Sequence, residues 1–338
     1  MKQGLPQVDN YKVVVLSITY NQSMYIEDTL NGFAMQRTNF PFLCCVFDDA
    51  STDGEQDVLK RWIDNHCNPD EVEIYDHPLA IVLMAPDKDN PNCMYAIHLQ
   101  KVNTWGKPEK RNLLNYWRQF GEFIALCEGD DYWIDSLKLQ EQVNFLENNQ
   151  NVPLCFCKVY DLIESKKRIK KRVYSQDTYR FEDLIVKNQI TTLTVMMRFD
   201  LYKKYEEANF PVWKMGDYPL WLFLTNFGQG VLLDRYSGVY RILSESASHS
   251  MDFKNRISFI DSIYEIQSFF LKRANFLSNK EILLSNQIEQ MYYHNLLAAY
   301  FHYKKYKDVL KIKPKLYVLT LREKISVIVS YILSLFEF

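Results

Sequence analysis

Glycine is scarce in this chain, with 10 residues in 338, about 3% where average usage is near 7%. No GxxxxGK and no GxGxxG segment occurs, so the backbone phosphate cradles of P-loop and dinucleotide-binding proteins are excluded. An excess of either charge is missing too. Forty Lys and Arg stand against 42 Asp and Glu, for a net charge of -2, which leaves no overall basic field to drive nucleic-acid binding. The seven cysteines contain no CxxC pair, so neither a zinc framework nor a disulfide scaffold is implied, and a reducing cytosol is the expected setting. Met1 to Tyr11 has no apolar run, so no signal peptide is expected. What the chain has in plenty is aromatic surface: 6 Trp, 23 Tyr and 21 Phe, or 15%. That much ring area needs burial, which argues against disorder.

The apolar pattern alternates between short β-branched runs and helical stripes. Val13 to Thr19 and Phe42 to Phe47 are continuous apolar runs, as expected of strands buried on both faces. Ile81 to Met84 and Phe123 to Cys127 predict a third and a fourth strand. Between them, Ile26, Leu30 and Phe33, then Val58, Leu59, Trp62 and Ile63, then Leu139, Val143 and Leu146, mark amphipathic helices. Ser51 and Asp53 suit the N-terminus of the second helix as caps. Alternating strands and helices predict an α/β fold with a mostly parallel sheet, in which ligands bind beyond the carboxyl ends of the strands. Cys155 to Leu162 and Thr191 to Arg198 predict two more strands, and Phe253 to Tyr306 reads as helical.

Two strands end in acid clusters. Asp48, Asp49 and Asp53 follow the second, and Glu128, Asp130 and Asp131 follow the fourth. Adjacent carboxylates repel unless donors or a cation hold them. Hard oxygen ligands of this kind suit Mg2+ or Mn2+, which bind through one or two carboxylates plus substrate phosphates. A third acid, Asp217, precedes an aromatic run, where it can cap a helix or act as a general base. Trp213, Tyr218 and Trp221 surround it and read equally as an acceptor platform or as core. Lys166 to Arg172 carries six basic residues in seven, which fits a solvated hairpin tip or a site for an anionic acceptor or lipid headgroups. The last apolar run, Ile325 to Phe336, has 12 uncharged residues after a lysine-rich stretch. It is too short to cross a bilayer and reads as a docked core helix or as a helix lying on an anionic membrane. From Phe301 onward the charge is +5.

Thr19-Tyr20-Asn21, Gln36 to Pro41, Asp48 to Asp53 and Gly121 to Trp133, in this order, resemble the family 2 glycosyltransferases, and the closest look is to bacterial enzymes that build surface polysaccharides. The resemblance covers roughly Val13 to His249. It implies a GT-A fold, with a Rossmann-like nucleotide-sugar half at about residues 10–150 and an acceptor half at about 151–250; beyond it, the helical pattern predicts a C-terminal helical extension with a basic and apolar tail at 251–338. By position it implies that Thr19, Tyr20, Asn21, Asp48 and Asp49 hold the donor nucleoside, and that Arg111, Asn112, Asp130 and Arg241 also contact the donor. It implies a Mn2+ or Mg2+ ion at Asp130 and Asp131, with Glu128 and His249 as further ligands, and Asp217 as catalytic base. The expected partners are a nucleotide-diphosphate sugar, most commonly a UDP-sugar, and a saccharide or lipid-linked saccharide acceptor. The expected location is cytoplasmic, and the tail, where it lies on a membrane and does not dock as a core helix, adds peripheral contact with the inner face of the cytoplasmic membrane. Two other readings stand beside the inverting transferase: a non-catalytic scaffold of transferase ancestry, and a sugar-phosphate nucleotidyltransferase.

Overall fold

The apolar runs become strands, and helices pack over them. The computed structural model describes residues 1–243, 252–274 and 276–334. In chain order the strands are β1 (Lys2–Gln3), β2 (Tyr11–Thr19), β3 (Phe42–Asp48), β4 (Glu73–His77), β5 (Ala80–Pro86), β6 (Cys93–Gln100), β7 (Gly121–Leu126), β8 (Tyr132–Trp133), β9 (Leu154–Ile163), β10 (Arg168–Lys171), β11 (Thr178–Tyr179), β12 (Met196–Arg198) and β13 (Gly230–Ile242). The helices are α1 (Ile26–Ala34), α2 (Glu55–His66), α3 (Pro108–Arg118), α4 (Lys138–Asn148), α5 (Phe181–Val186), α6 (Phe199–Glu207), α7 (Asp217–Leu224), α8 (Phe253–Arg273), α9 (Ser278–His302), α10 (Tyr306–Ile312) and α11 (Leu321–Ser334).

The chain divides into two units. The first comprises Met1–Tyr179, Ile190–Asn209 and Leu224–Ile242, and the second comprises Arg180–Gln189, Phe210–Phe223 and Leu243–Phe338. In the first, a single mixed sheet runs in the order β1-β4-β5-β6-β3-β2-β7-β12-β9-β13-β11 among the described residues, with β8 and β10 paired at its side. Its centre, β6-β3-β2-β7, is parallel. Every residue of β3 is buried, as a strand covered on both faces requires. Antiparallel pairs follow on either side, with β5 against β4 and β6 and β12 against β7 and β9, while further out β13 pairs parallel with β9 and β1 with β4. In the centre, helix crossovers join the parallel strands. The strand expected at Ile81 to Met84 is β5, and its direction is set by a short turn into β6, which needs no crossover. Thr191 to Arg198 splits into a 3-10 turn at Thr192–Thr194 and the short β12.

The helix stripes bury as their spacing predicts, with Ile26, Leu30 and Phe33 inward on α1 and Val58, Leu59, Trp62 and Ile63 inward on α2. The capping of α2 differs from expectation. Gly54, at φ 91°, is the N-cap and has no side chain to offer; Asp53, one residue earlier, accepts the Glu55 N–H, the first of the helix, at 3.1 Å, while Ser51 donates to the Glu55 carboxylate instead. The basic run forms a hairpin strand: β10 pairs antiparallel with β9 and all its residues are exposed, while Arg172 is tied to Asp161 at 2.6 Å. All seven cysteines are free and buried. The second unit is helical, with a core of Ile260, Leu296, Leu297, Val309 and Ile312. No described helix is long and apolar enough to cross a membrane.

Candidate active site

Strand register brings the two acid clusters together. Thr19 at the end of β2 lies opposite Asp48 at the end of β3, and Leu16 of β2 lies opposite Leu126 at the end of β7. The segment after β7 then folds back over β2, with the Gly129 N–H donating to the Ile18 carbonyl at 3.1 Å. Thr29 of α1 donates to the carbonyls of Gly129 and Asp131 at 3.0 and 2.6 Å. Gly129 sits so close to Thr19 that an added Cβ would lie 2.2 Å from Thr19 Oγ1. Only glycine lets the Glu128-Gly-Asp130 loop rest there.

The loops after β2 and β3 are stitched to one another. The Asn21 N–H donates to Ser51 Oγ and the Thr52 N–H donates to Asn21 Oδ1, both at 2.8 Å, and the Ser23 N–H donates to Asp53 at 2.9 Å. Asn21 and Ala50 both hold positive φ, 55° and 60°, a conformation most residues avoid. At the centre of this lacing is Glu55, wholly buried, whose carboxylate accepts from Thr19 Oγ1, the Gln22 N–H and Ser51 Oγ. Burial pushes its carboxyl up, against the pull of these donors. Tyr20 is exposed beside it.

The acid pair after β3 divides into two roles. Asp48 turns inward and accepts from the Ser51 N–H and Gln56 Nε2 through Oδ1. Asp49 accepts from the Thr104 N–H and hydroxyl at 2.7 and 2.8 Å, and from Lys110 Nζ at 2.9 Å. Burial works against ionisation of Asp49, but Lys110 and Thr104 outweigh it and hold the carboxyl below its ordinary range. Lys110 itself is nearly buried, 5.0 Å above the exposed Trp105 ring. Its neighbour Arg111 pairs instead with Glu206 of α6 at 2.5 Å, and Asn112 is exposed on α3.

Asp130 and Asp131 also differ. Burial pushes both carboxyls up, and for Asp131 the charges of Asp130 and Glu128 add to it. Asp131 is buried and accepts the Arg241 N–H at 2.7 Å, a tether between the acid loop and β13. The Arg241 guanidinium donates to the Asp130 carbonyl at 2.7 Å and to Asp28 of α1, and lies between the rings of Tyr25 and Tyr132. Arg241 thus organises the acid loop. In the second unit, Asp217 opens α7 and accepts the Tyr218 N–H at 2.8 Å. Tyr218 and Trp221 are buried, and the Tyr218 hydroxyl donates to the Leu184 carbonyl. These two rings therefore belong to the core. Trp213 packs edge-on against Phe269. His249 lies outside the described residues.

No family model matches the chain. Among solved structures, S. aureus TarS 1-349 in complex with UDP-GlcNAc superposes with a TM-score of 0.60 at 15% identity, over 94% of this chain and 79% of that one. The mannosyltransferase PcManGT from Pyrobaculum calidifontis, in complex with GDP-Man and Mn2+, gives 0.55 at 14% identity over 97% and 81%. The fold is that of a GT-A-like glycosyltransferase. By sequence, an uncharacterized protein of Mycobacterium tuberculosis is 34% identical over 142 residues, 42% of this chain, and the match spans about a third of that relative's length (33%). TuaG of Bacillus subtilis, whose name assigns it provisionally to teichuronic acid biosynthesis as a glycosyltransferase, is 22% identical over 242 residues, 71% of this chain and 83% of that one.

Within this GT-A-like fold, the carboxyl ends of β2, β3 and β7 gather Thr19, Asp48, Asp49, Glu128 and Asp130. Among the described residues no group of three or more His, Cys, Asp or Glu side chains is arranged to hold a metal ion by itself. The donor set fits a hard divalent cation in a narrower way. Asp131 accepts the Arg241 N–H through one oxygen, Oδ1, so Asp130 and Asp131, with Glu128 beside them in sequence, would supply one or two carboxylate oxygens and the substrate's phosphates the rest. Reading the sequence alone missed Glu55, Thr104, Lys110 and Asp28. A signal for Lys110 was present, because Lys110 and Arg111 are adjacent cations upstream of β7 and either can serve.

Proposed function

We propose that the protein is a divalent-metal-dependent, inverting glycosyltransferase of family 2 type, which moves a sugar from a nucleotide-diphosphate sugar to a hydroxyl of a saccharide or lipid-linked saccharide in surface-polysaccharide synthesis. The observation that carries this reading is the convergence of two acid clusters at the carboxyl ends of β2, β3 and β7 in a GT-A-like fold. The complexes of TarS with UDP-GlcNAc and of PcManGT with GDP-Man support the donor class, and a UDP-sugar is the first to test.

In this mechanism the loops after β2 and β3, fixed by Glu55 and the buried Thr19 that donates to it, present the exposed Tyr20 and Asn21 to the nucleoside. Asp49 holds its ionised form against Lys110, so the pair offers both an acceptor and a cation at the donor end. Asp130 and Asp131, with Glu128 beside them, would hold the cation, which when bound would offset charge on the departing diphosphate. Asp217 takes the proton from the acceptor hydroxyl as that oxygen attacks the anomeric carbon from the face opposite the leaving group. One displacement of this kind inverts configuration. The test is turnover of a panel of UDP- and GDP-sugars with Mn2+, with the anomer of the product read by NMR. Unchanged turnover in both Asp130→Asn and Asp217→Asn, or a retained anomer, would overturn the mechanism.

A further inference from the structure

The final helix of the second unit wears its apolar side outward. Leu321, Ile325, Ile328 and Ile332 of α11 are 76%, 54%, 60% and 50% exposed. Their spacing of four, three and four residues aligns them in one stripe about 60° wide along the helix. The opposite face of α11 makes the contacts with the unit, and it is largely polar. Ser326 and Ser330 are buried, Val327 packs on the core of the unit, and Glu323 pairs with His294 of α9 at 2.5 Å. A helix docked for its own stability would point the isoleucines in and the serines out. Tyr317 and Val318, just before the helix, add exposed apolar surface at its start.

Charge complementarity indicates what covers the stripe. Arg322 and Lys324 are exposed and flank it, one on each side, and Lys311, Lys313 and Lys315 are exposed immediately upstream. From Phe301 to the end the chain is +5, although the whole chain is -2. A second copy of the same face would bring two such positive surfaces together, which disfavours a dimer through this helix. An anionic surface with an apolar interior satisfies both features at once. The uncharged run Ile325 to Phe336 lies between Lys324 and Glu337 and has 12 residues, which as a helix reach about 18 Å, short of the roughly 30 Å hydrocarbon thickness, so this run suits a helix along the surface.

We propose that α11 is a membrane-surface helix, seating its Leu321, Ile325, Ile328 and Ile332 stripe among lipid acyl chains while Arg322, Lys324 and the preceding lysines engage anionic headgroups. This goes beyond the proposed activity and stands or falls without it, because its readout is partition to lipid. The test is co-sedimentation of the full chain with vesicles of phosphatidylglycerol and phosphatidylcholine in equal parts, and with vesicles of phosphatidylcholine alone. The full chain is expected to sediment with the anionic vesicles, and to partition at least about tenfold more weakly to the neutral ones or in high salt. Ile325→Ser/Ile328→Ser/Ile332→Ser removes apolar atoms that already face solvent, so it is expected to keep its circular dichroism and melting temperature while losing at least about tenfold in partition. Arg322→Gln/Lys324→Gln is expected to weaken only the anionic binding. Three outcomes would overturn the proposal: a full chain that stays in the supernatant, a triple-serine variant that sediments like the parent, or a dimer that the serines dissociate without any vesicle binding.

Discussion

Replacing Lys110 with Met keeps much of the side-chain length and removes the cation from Asp49. The carboxylate then stays buried with the two Thr104 donors as its remaining side-chain partners. Breaking a buried ion pair from one side costs about 3–5 kcal/mol. Because Thr104 still donates twice, the lower end applies, about 3 kcal/mol. For a domain of about 150–250 residues this lowers the melting temperature by about 6–12 °C. The sign with pH follows from the direction of the shift. Asp49 is held below its ordinary pKa in the folded state, so the pair's contribution is complete above about pH 4 and fades as pH falls through the folded value. The difference between parent and variant is therefore largest at neutral pH and shrinks toward pH 3. The assay is urea unfolding followed by near-ultraviolet circular dichroism across that range. Asp49→Asn added to the Lys110→Met background removes the stranded charge and restores at least about 1 kcal/mol. A variant within about 0.5 kcal/mol of the parent at pH 7, or no recovery in the double variant, would refute this account of the pair.

Gly129→Ala forces a Cβ to within 2.2 Å of Thr19 Oγ1 and 2.5 Å of Thr19 Cβ, and should cost about 1–3 kcal/mol. An urea midpoint equal to the parent's would show that the loop does not rest on Thr19. Chelation by EDTA should abolish nucleotide-sugar turnover and Mn2+ should restore it, with Asp130→Asn lowering kcat at least about a hundredfold. Turnover indifferent to EDTA would remove the cation from the scheme. Arg111→Ala should leave the donor KM within about twofold and cost no more than about 1 kcal/mol of stability, since Arg111 is half-exposed and paired with Glu206. A large rise in KM for Arg111→Ala, with none for Lys110→Met, would reverse the assignment of the two cations.

Much of the first unit was legible because periodicity carries it. β2, β3 and β7 are continuous apolar runs, and α1, α2 and α4 show clear stripes. β6 escaped notice because CMYAIHLQ mixes His98 and Gln100 into a strand that the fold buries. His98 is accommodated there between Phe47 and Trp117, where burial pushes its pKa down to about 3 and keeps it neutral. The acid clusters were legible because carboxylates at the ends of apolar strands are conspicuous. Their division of labour was not. Asp131 looks identical to Asp130 in the sequence, and its capture by the Arg241 N–H depends on a contact 110 residues away. Lys110 and Arg111 are equivalent until the rotation of α3 aims one at Asp49 and the other at Glu206. Glu55 reads as an acid favouring a helix N-terminus, and its burial arises only when the loops after β2 and β3 close over it.

The buried thiols have a practical consequence. None of the seven cysteines reaches the surface, and burial pushes the thiols of Cys44, Cys45, Cys127 and Cys155 up, away from the reactive thiolate. The chain is therefore its own cysteine-light background. A thiol introduced at Ile328 would be the accessible one, and an environment-sensitive dye attached there would report directly whether α11 meets water or lipid, with no native cysteine to remove first.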